Sequence, residues 1–229
     1  MAIITISRQY ASNGNDIAEK ICESTGYYLF DKHIIAEAAV EAGFSDEEIV
    51  DFSEENYKIK GFFDRLFGRS RLLIWKEMED GMRTSEQVPL SEENALSLVR
   101  RAIKNAHEMN DTVIVGRGGQ VILQDAPDVL HVRVETPLED RIQRVRSHPK
   151  LAGRSFIGPL EARRAALDLI EESDDASADY IKRFYGVDWS DPMLYHILIN
   201  TGKLNVEQAV RLIIETAKQL ERDRVPDLA

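Results

Sequence analysis

Cysteine and long apolar segments are scarce in this chain, and each absence excludes a class of protein. Cys22 is the single cysteine in 229 residues, so the sequence holds no internal disulfide framework. No apolar stretch reaches the roughly 18 residues that a membrane-spanning helix needs, and no charged segment followed by an apolar one indicates a signal peptide. We therefore expect a cytoplasmic protein without a membrane partner, in which Cys22 is a buried thiol.

Basic residues are outnumbered as well. Lysine and arginine total 29 against 40 aspartates and glutamates, which gives a net charge of −11. Such a surface repels nucleic acid, so we expect no nucleic-acid partner. A small anionic ligand is still compatible with this charge, because its site is local. No histidine is paired with cysteine or carboxylate at metal-ligand spacing, so we predict no metal centre built by the protein alone.

The first twenty residues have the layout of a phosphate-binding loop. Residues 2–6 are a short apolar run typical of a buried strand, and apolar spacing from Asp16 predicts a helix. The loop between them holds small and polar residues, and a following helix N-terminus offers backbone N–H groups to an anion. The residues predicted to contact cofactor phosphates are Ser7, Arg8, Ala11, Ser12, Asn13, Gly14, Asn15 and Asp16.

That loop lacks the G-x-x-x-x-G-K-[ST] signature of a phosphate loop. Gly14 is its only glycine, and no lysine follows it. The segment is thus a degenerate Walker A motif, either a working loop or a remnant of one. Arg8, in the loop after the predicted strand, is our candidate for the missing positive charge.

Strands and helices alternate along the chain. Predicted strands cover residues 2–6, 27–30, 112–115, 129–134 and 196–200, with helical periodicity between and after them. Because the strands are continuous apolar runs, we predict an α/β fold with a parallel sheet covered on both faces. Ligands of such sheets bind at the carboxyl ends of the strands.

Residues 57–85 are rich in aromatic side chains with roughly helical spacing and interspersed arginines. The segment is interpreted either as an insert that packs on the core, or as a ligand lid or an interface for homo-oligomer formation. The sequence leaves both interpretations open.

Arg117 is the strongest single candidate for chemistry. It follows a predicted buried strand within Gly116-Arg117-Gly118, where glycine lets a ligand approach the backbone and a guanidinium matches phosphate geometry. The alternative is an arginine that pairs with a nearby carboxylate. Asp31, at the end of the second strand, is either a helix cap or a ligand contact.

A second group of arginines follows the strand 129–134. Arg141 and Arg144 share one face of the next predicted helix, where they either meet phosphates or pair with neighbouring carboxylates. Arg154 and Arg163, near the glycine- and proline-containing segment 147–160, leave the same two alternatives.

Taken in order, these segments resemble a known family. The residues that carry the likeness are Ile4 to Arg8, Tyr28 to Asp31, Val113 to Gly118, Asp125-Ala126-Pro127, His131-Val132, Tyr180, Tyr185 to Trp189, Asp191-Pro192, Tyr195 and Ile199-Asn200-Thr201. Over about residues 2–220 the set is similar to the cytidylate kinase-like family, a branch of the nucleoside monophosphate kinases.

The resemblance implies a single P-loop kinase-like domain over 1–229 with a five-stranded parallel sheet, a helical nucleotide-binding insert at 45–90 and a lid-like loop at 147–165. It also implies transfer of the γ-phosphoryl group of ATP, with Mg²⁺, to CMP, dCMP or a related small acceptor. The roles it implies are catalysis for Arg8, Arg117 and Arg141; acceptor binding for Asp31, Lys32, Gly116, Arg117 and Gly118; and lid contacts for Arg144, Arg154, Arg163 and Arg183.

The chain departs from the family pattern at two places. Ala11-Ser12-Asn13-Gly14-Asn15 stands where similar proteins tend to read G-S-G-G-R, and residues 173–179 are acidic where a lid would carry arginines. Two functions therefore stay open: a phosphotransferase in which other arginines compensate, and a catalytically impaired pseudokinase that acts as a regulatory or assembly module.

Overall fold

The computed structural model describes residues 2–30, 71–77, 83–89, 92–147 and 158–222, with backbone only for 71–77, 83–89, 92–95 and 98. Its main sheet has five parallel strands in the order β2-β5-β1-β6-β7. These are β1 (Ile3–Arg8), β2 (Tyr28–Phe30), β5 (Thr112–Val115), β6 (Val129–Glu135) and β7 (Ile197–Asn200), and a separate antiparallel pair is formed by β3 (Arg71–Glu77) and β4 (Arg83–Pro89).

Helices connect the strands of the main sheet. They are α1 (Gly14–Thr25), α2 (Glu92–Met109), α3 (Gly119–Ile122), α4 (Leu138–Arg146), α5 (Pro159–Tyr185) and α6 (Val206–Arg222). A short 3-10 turn, Pro192–Leu194, precedes β7. None of the described helices is long and apolar enough to cross a membrane.

Both faces of the sheet are covered, as the continuous apolar strands predict. On one face, Ile4, Ile6 and Val132 pack with residues of α1 and α6. On the other, Ile3 and Ile114 pack with residues of α2. The prediction of a five-stranded parallel sheet with helices on both faces is confirmed.

The topology fixes where a ligand can bind. β1 lies at the centre, with Ile6 aligned to Val115 on one side and to Val132 on the other. The chain runs from β1 outward to β2, and later from β5 across to β6 on the opposite side of β1. This reversal opens a crevice at the carboxyl end of β1, where ligands of open α/β sheets bind.

The prediction of a helical insert at 45–90, with helical spacing over 57–85, is wrong for the part of it that the structure describes. Residues 71–77 and 83–89 are paired antiparallel strands, with Glu77 opposite Arg83. The run Leu72 to Trp75 is compatible with either period, and the Asp-Gly pair at 80–81 is a hairpin signal that apolar spacing alone overlooked.

Several predictions fall partly or wholly outside the described residues. These are Asp31 and Lys32, the insert over 45–70, the lid segment 148–157 and, within it, Arg154. Residues 159–165 of the predicted lid-like loop are instead the first two turns of α5.

Candidate functional site

The loop between β1 and α1 is a tight turn with two residues in left-handed conformation. Ala11 has φ 59° and Asn13 has φ 64°. The first hydrogen bond of α1 runs from Ile17 N to Asn13 O at 3.0 Å. The N–H groups of Gly14 and the next two residues therefore have no partner within the helix and are available to an anion.

Gly14 is required by the close approach of Arg8. A Cβ placed on Gly14 would lie 2.5 Å from Arg8 Cβ and 2.7 Å from Arg8 Cγ. Arg8 Nε donates to Asn15 Oδ1 at 2.9 Å. The guanidinium group is thus held at the start of α1, beside Asn15, the residue that directly follows Gly14.

A cleft of about 280 Å³ opens at this loop. Its lining comprises every residue from Arg8 to Asp16 together with Arg144 and Val145. The structure therefore brings together all the predicted phosphate-contacting residues except Ser7. Contact with phosphate itself stays a prediction for each of them.

Two carbonyl groups of the loop accept hydrogen bonds from the side chains of Arg144 and Thr201. Arg144 Nη1 donates to Ala11 O at 3.0 Å, and Arg144 Nη2 donates to Thr201 O at 3.0 Å. The Thr201 hydroxyl donates to Ser12 O at 2.7 Å. Arg144, predicted to contact phosphates from a lid, is thus bonded to the loop backbone and to Thr201, the residue that follows β7.

Arg141 and Asp174 hold the other end of the loop. Arg141 is 7% exposed, and its Nη1 lies 2.5 Å from Asp174 Oδ2 and 3.4 Å from Tyr10 O. Asp174 Oδ1 accepts a hydrogen bond from Tyr10 N at 2.8 Å. The acidic stretch of α5 therefore contributes a direct contact to the loop. The catalytic role predicted for Arg141 is untested.

The predicted acceptor turn follows β5 and is strongly bent. Gly116, Arg117 and Gly118 have φ values of 69°, 60° and 75°. A Cβ on Gly118 would lie 2.5 Å from the ring of Tyr185, whose hydroxyl donates to Arg117 O at 3.2 Å. Arg117 is 6% exposed, and its left-handed backbone is of the kind that clusters at functional sites.

A cluster that the sequence reasoning missed lies on the face of the sheet opposite α1. Arg133, 2% exposed, donates to Ser7 Oγ at 3.0 Å and stacks 3.7 Å from the ring centroid of Trp189. Trp189 Nε1 also donates to Ser7 Oγ, at 2.9 Å, and the Tyr195 hydroxyl donates to the same oxygen at 3.2 Å. Ser7 thus joins this cluster and not the cleft.

His131 and His196 form a second polar pair at the same face. The Thr5 hydroxyl lies 2.7 Å from His131 Nδ1, and the His131 backbone N–H donates to His196 Nδ1 at 3.0 Å. Burial, followed by the neighbouring charge of His196, lowers the pKa of His131 to about 4. His131 is therefore neutral in the native protein near pH 7.

The remaining predicted residues that the structure describes lie outside the cleft. Arg163 makes a two-pronged contact with Glu139, at 2.6 and 2.7 Å, and this ion pair lowers the pKa of Glu139. Arg183 lies beside the ring of Phe184. Neither arginine lines the cleft. Cys22 is half-buried, and burial raises the pKa of its thiol to about 11.

Within the described ranges, no three histidine, cysteine or carboxylate side chains converge to hold a metal ion. Asp16, an exposed carboxylate in the first turn of α1, also lines the cleft. Mg²⁺ at nucleotide sites is commonly held by one or two carboxylates together with substrate phosphates and waters. The donor set here is compatible with such a shared site.

Comparison with known proteins identifies relatives over most of the chain. The profile of the Cytidylate kinase-like family matches residues 3–203. A Cytidylate kinase of Aeropyrum pernix is 30% identical over 152 residues, which cover 62% of this chain and 77% of that protein. A Cytidylate kinase of Methanopyrus kandleri is 29% identical over 153 residues, covering 61% of this chain and 74% of that protein.

A solved structure supports the fold independently. It is that of an uncharacterized protein from Eubacterium ventriosum, which superposes with a TM-score of 0.60. It covers 95% of this chain and 99% of its own, at 21% sequence identity. At this level of identity the similarity is evidence for the fold and not for the activity.

Proposed function

Because the chain belongs to the cytidylate kinase-like family, we propose that it binds ATP at the β1–α1 loop and transfers the γ-phosphoryl group to a small acceptor. The acceptor class we propose is a pyrimidine nucleoside monophosphate such as CMP or dCMP, in keeping with the names of its relatives. The observation that carries the proposal is the cleft lined without interruption by residues 8–16.

The donor phosphates would be bound mainly by the backbone. Free N–H groups in the first turn of α1 point toward an anion and bring the positive end of the helix dipole with them. The guanidinium of Arg8, held by Asn15 at 2.9 Å, would supply the charge that lysine supplies in a standard Walker A motif. Asp16 would share Mg²⁺ with the phosphates.

The acceptor would be held at the turn Gly116–Gly118. Arg117 offers a bidentate match to the acceptor phosphate, and the turn follows the strand beside β1. Phosphoryl transfer asks the protein to align donor and acceptor and to stabilise the charge of the transition state. When bound, Mg²⁺ neutralises charge on the donor phosphates.

A coupled ADP-release assay with CMP, dCMP, UMP and other small acceptors tests the proposal. We expect turnover with at least one pyrimidine nucleotide, and Arg8→Gln is expected to lower kcat by about 10³-fold, the scale of losing a cation at the transferring phosphate. Arg101→Gln, an exposed arginine on α2, is the matched control and should leave kcat unchanged.

Lysine at the Walker position provides a rescue test. If Arg8 replaces that lysine, Arg8→Gln combined with Asn15→Lys should recover part of the lost activity. The pseudokinase alternative is favoured by Asn15 itself, which carries no charge. Binding of ATP without turnover of any acceptor would support the pseudokinase alternative and contradict the proposed kinase activity.

A further inference from the structure

We infer that Asp174 is a positioning residue for nucleotide binding, acting through the backbone of the β1–α1 loop; this rests on the proposed function. Asp174 lies on α5, 164 residues from Tyr10 in the sequence. It does not line the cleft. Its carboxylate nevertheless accepts a hydrogen bond from a backbone N–H of the loop, that of Tyr10.

The two oxygens of this carboxylate serve different partners. Oδ1 accepts from Tyr10 N at 2.8 Å, while Oδ2 lies 2.5 Å from Arg141 Nη1. Arg141 Nη1 in turn lies 3.4 Å from Tyr10 O. Asp174 therefore binds the backbone N–H of Tyr10, and Arg141 binds its carbonyl group. Together these two contacts fix the backbone conformation at Tyr10.

Contacts to the backbone of the loop also orient its peptide groups. In a trans peptide, the carbonyl oxygen and the next residue's N–H point to opposite sides. The bonds that hold the carbonyl groups of Tyr10, Ala11 and Ser12 therefore set the direction of the N–H groups that follow. Ser12 N donates within the loop, to Gln9 O at 3.3 Å, so the N–H groups of Ala11 and Asn13 are the ones that concern a ligand. Those directions decide whether the loop can receive phosphate.

Side-chain packing joins the same elements. Tyr10 and Ala11 pack against a buried cluster of α4 and α5 that contains Ile142, Val145 and Ile170. The loop is thus docked on α5 by an apolar contact and oriented by Asp174. A standard phosphate loop obtains its shape from several glycines; this one has a single glycine and an external carboxylate.

The two oxygens also allow the positioning role to be separated from a structural one. Asp174→Ala removes both contacts, whereas Asp174→Asn keeps an oxygen that can accept from Tyr10 N–H and loses the charge opposite Arg141. We expect the Kd for ADP, measured by calorimetry, to rise about tenfold in Asp174→Ala, the scale of losing one hydrogen bond to a charged group. Asp174→Asn should stay within about threefold of the unmodified protein.

Glu172→Gln, an exposed carboxylate two residues earlier on α5, is the matched control and should leave the Kd unchanged. Amide hydrogen exchange of Tyr10 is the second readout: it should accelerate in Asp174→Ala and not in the control. Equal ADP affinity in Asp174→Ala and Asp174→Asn, whether unchanged or equally weakened, would overturn the inference.

The outcome is distinguishable from failure of the proposed function. If the unmodified protein binds no ADP, the proposed function fails and Tyr10 exchange alone judges the contact. Unchanged Tyr10 exchange in Asp174→Ala would then overturn the inference on its own.

Discussion

Ala11 carries a backbone conformation that alanine adopts at a cost. Its φ of 59° lies in the left-handed region, which costs an L-residue with a Cβ about 1–2 kcal/mol. Asn13 shares that region but tolerates it better, because its short amide side chain can bond locally. The strain persists because Arg144 holds the Ala11 carbonyl at 3.0 Å.

Ala11→Gly should therefore stabilise the protein. We expect the free energy of unfolding to rise by about 0.5–1 kcal/mol, the relief of left-handed strain less the entropy that glycine gains in the unfolded chain. Urea denaturation measures the change. Ala162→Gly, within α5, should lower stability by about 1 kcal/mol, and a loss of stability in Ala11→Gly would contradict the strain argument.

Residues of the candidate site were predictable where they belong to a local pattern. The loop residues and the Gly116–Gly118 turn follow buried strands, and strand ends converge in a parallel sheet. Asp174 and Arg133 were not predictable in this way, because their partners lie 164 and 126 residues away. One feature of Arg133 was visible in the sequence: it is a charged residue within an apolar strand, and a buried charge requires a partner.

Among whole elements, α6 has the clearest local determinants. Gln208 N donates to Asn205 Oδ1 at 2.8 Å, and Asn205 N donates to Gln208 Oε1 at 3.0 Å. This reciprocal pair is a capping box that satisfies backbone donors at the start of the helix. Ala209 and Ile213 then pack in the core with Ile17 of α1, so the cap fixes an element that covers the sheet.

Asn205→Ala should destabilise the protein by about 1 kcal/mol, because the N–H of Gln208 loses its side-chain acceptor. For a chain of this size such a loss lowers Tm by about 2–4 °C. Scanning calorimetry measures it, with Gln219→Ala, an exposed residue near the other end of α6, as the control. Equal Tm values for the two variants would show that the capping box contributes nothing to stability.

At the same scale, prediction succeeded for elements with one clear period and failed for the ambiguous ones. Helical periodicity between the predicted strands 129–134 and 196–200 agrees with α4 and with α5, Pro159–Tyr185, in the structure. The hairpin β3–β4 was missed because Leu72 to Trp75 is too short a run to separate a strand from a helix turn. These residues form a strand because they pair with residues 83–89, and such pairing depends on neighbouring strands and cannot be predicted from local sequence.

For the molecule as a whole, the parallel sheet followed from continuous apolar strands, but the strand order did not. Order depends on which face each connecting helix covers, which is set by tertiary packing. The central position of β1 gives the loop its place in the crevice. It also puts Thr5 and Ser7 on one buried face with His131 and Arg133, their partners in the β1–β6 register.

That buried polar face makes global stability depend on pH. His131 is 3% exposed, and its pKa is lowered to about 4 from 6.5. Between these two values the unfolded chain binds a proton at this residue and the native protein does not, so stability falls as the pH falls. The contribution is complete above pH 6.5 and amounts to about 3 kcal/mol, lost progressively as the pH drops through about 4.

Chemical denaturation of the unmodified protein and of His131→Gln, at several pH values between 7 and 4, measures the contribution of His131 to the free energy of unfolding. Carboxylates titrate in the same range, but they contribute to both proteins and cancel in the difference. We expect the stability gap between the two to narrow by about 3 kcal/mol on acidification, and the His131 ring proton signals in NMR to titrate near pH 4. A constant gap, or a midpoint near 6.5, would mean that the imidazole accepts a proton without disturbing the sheet.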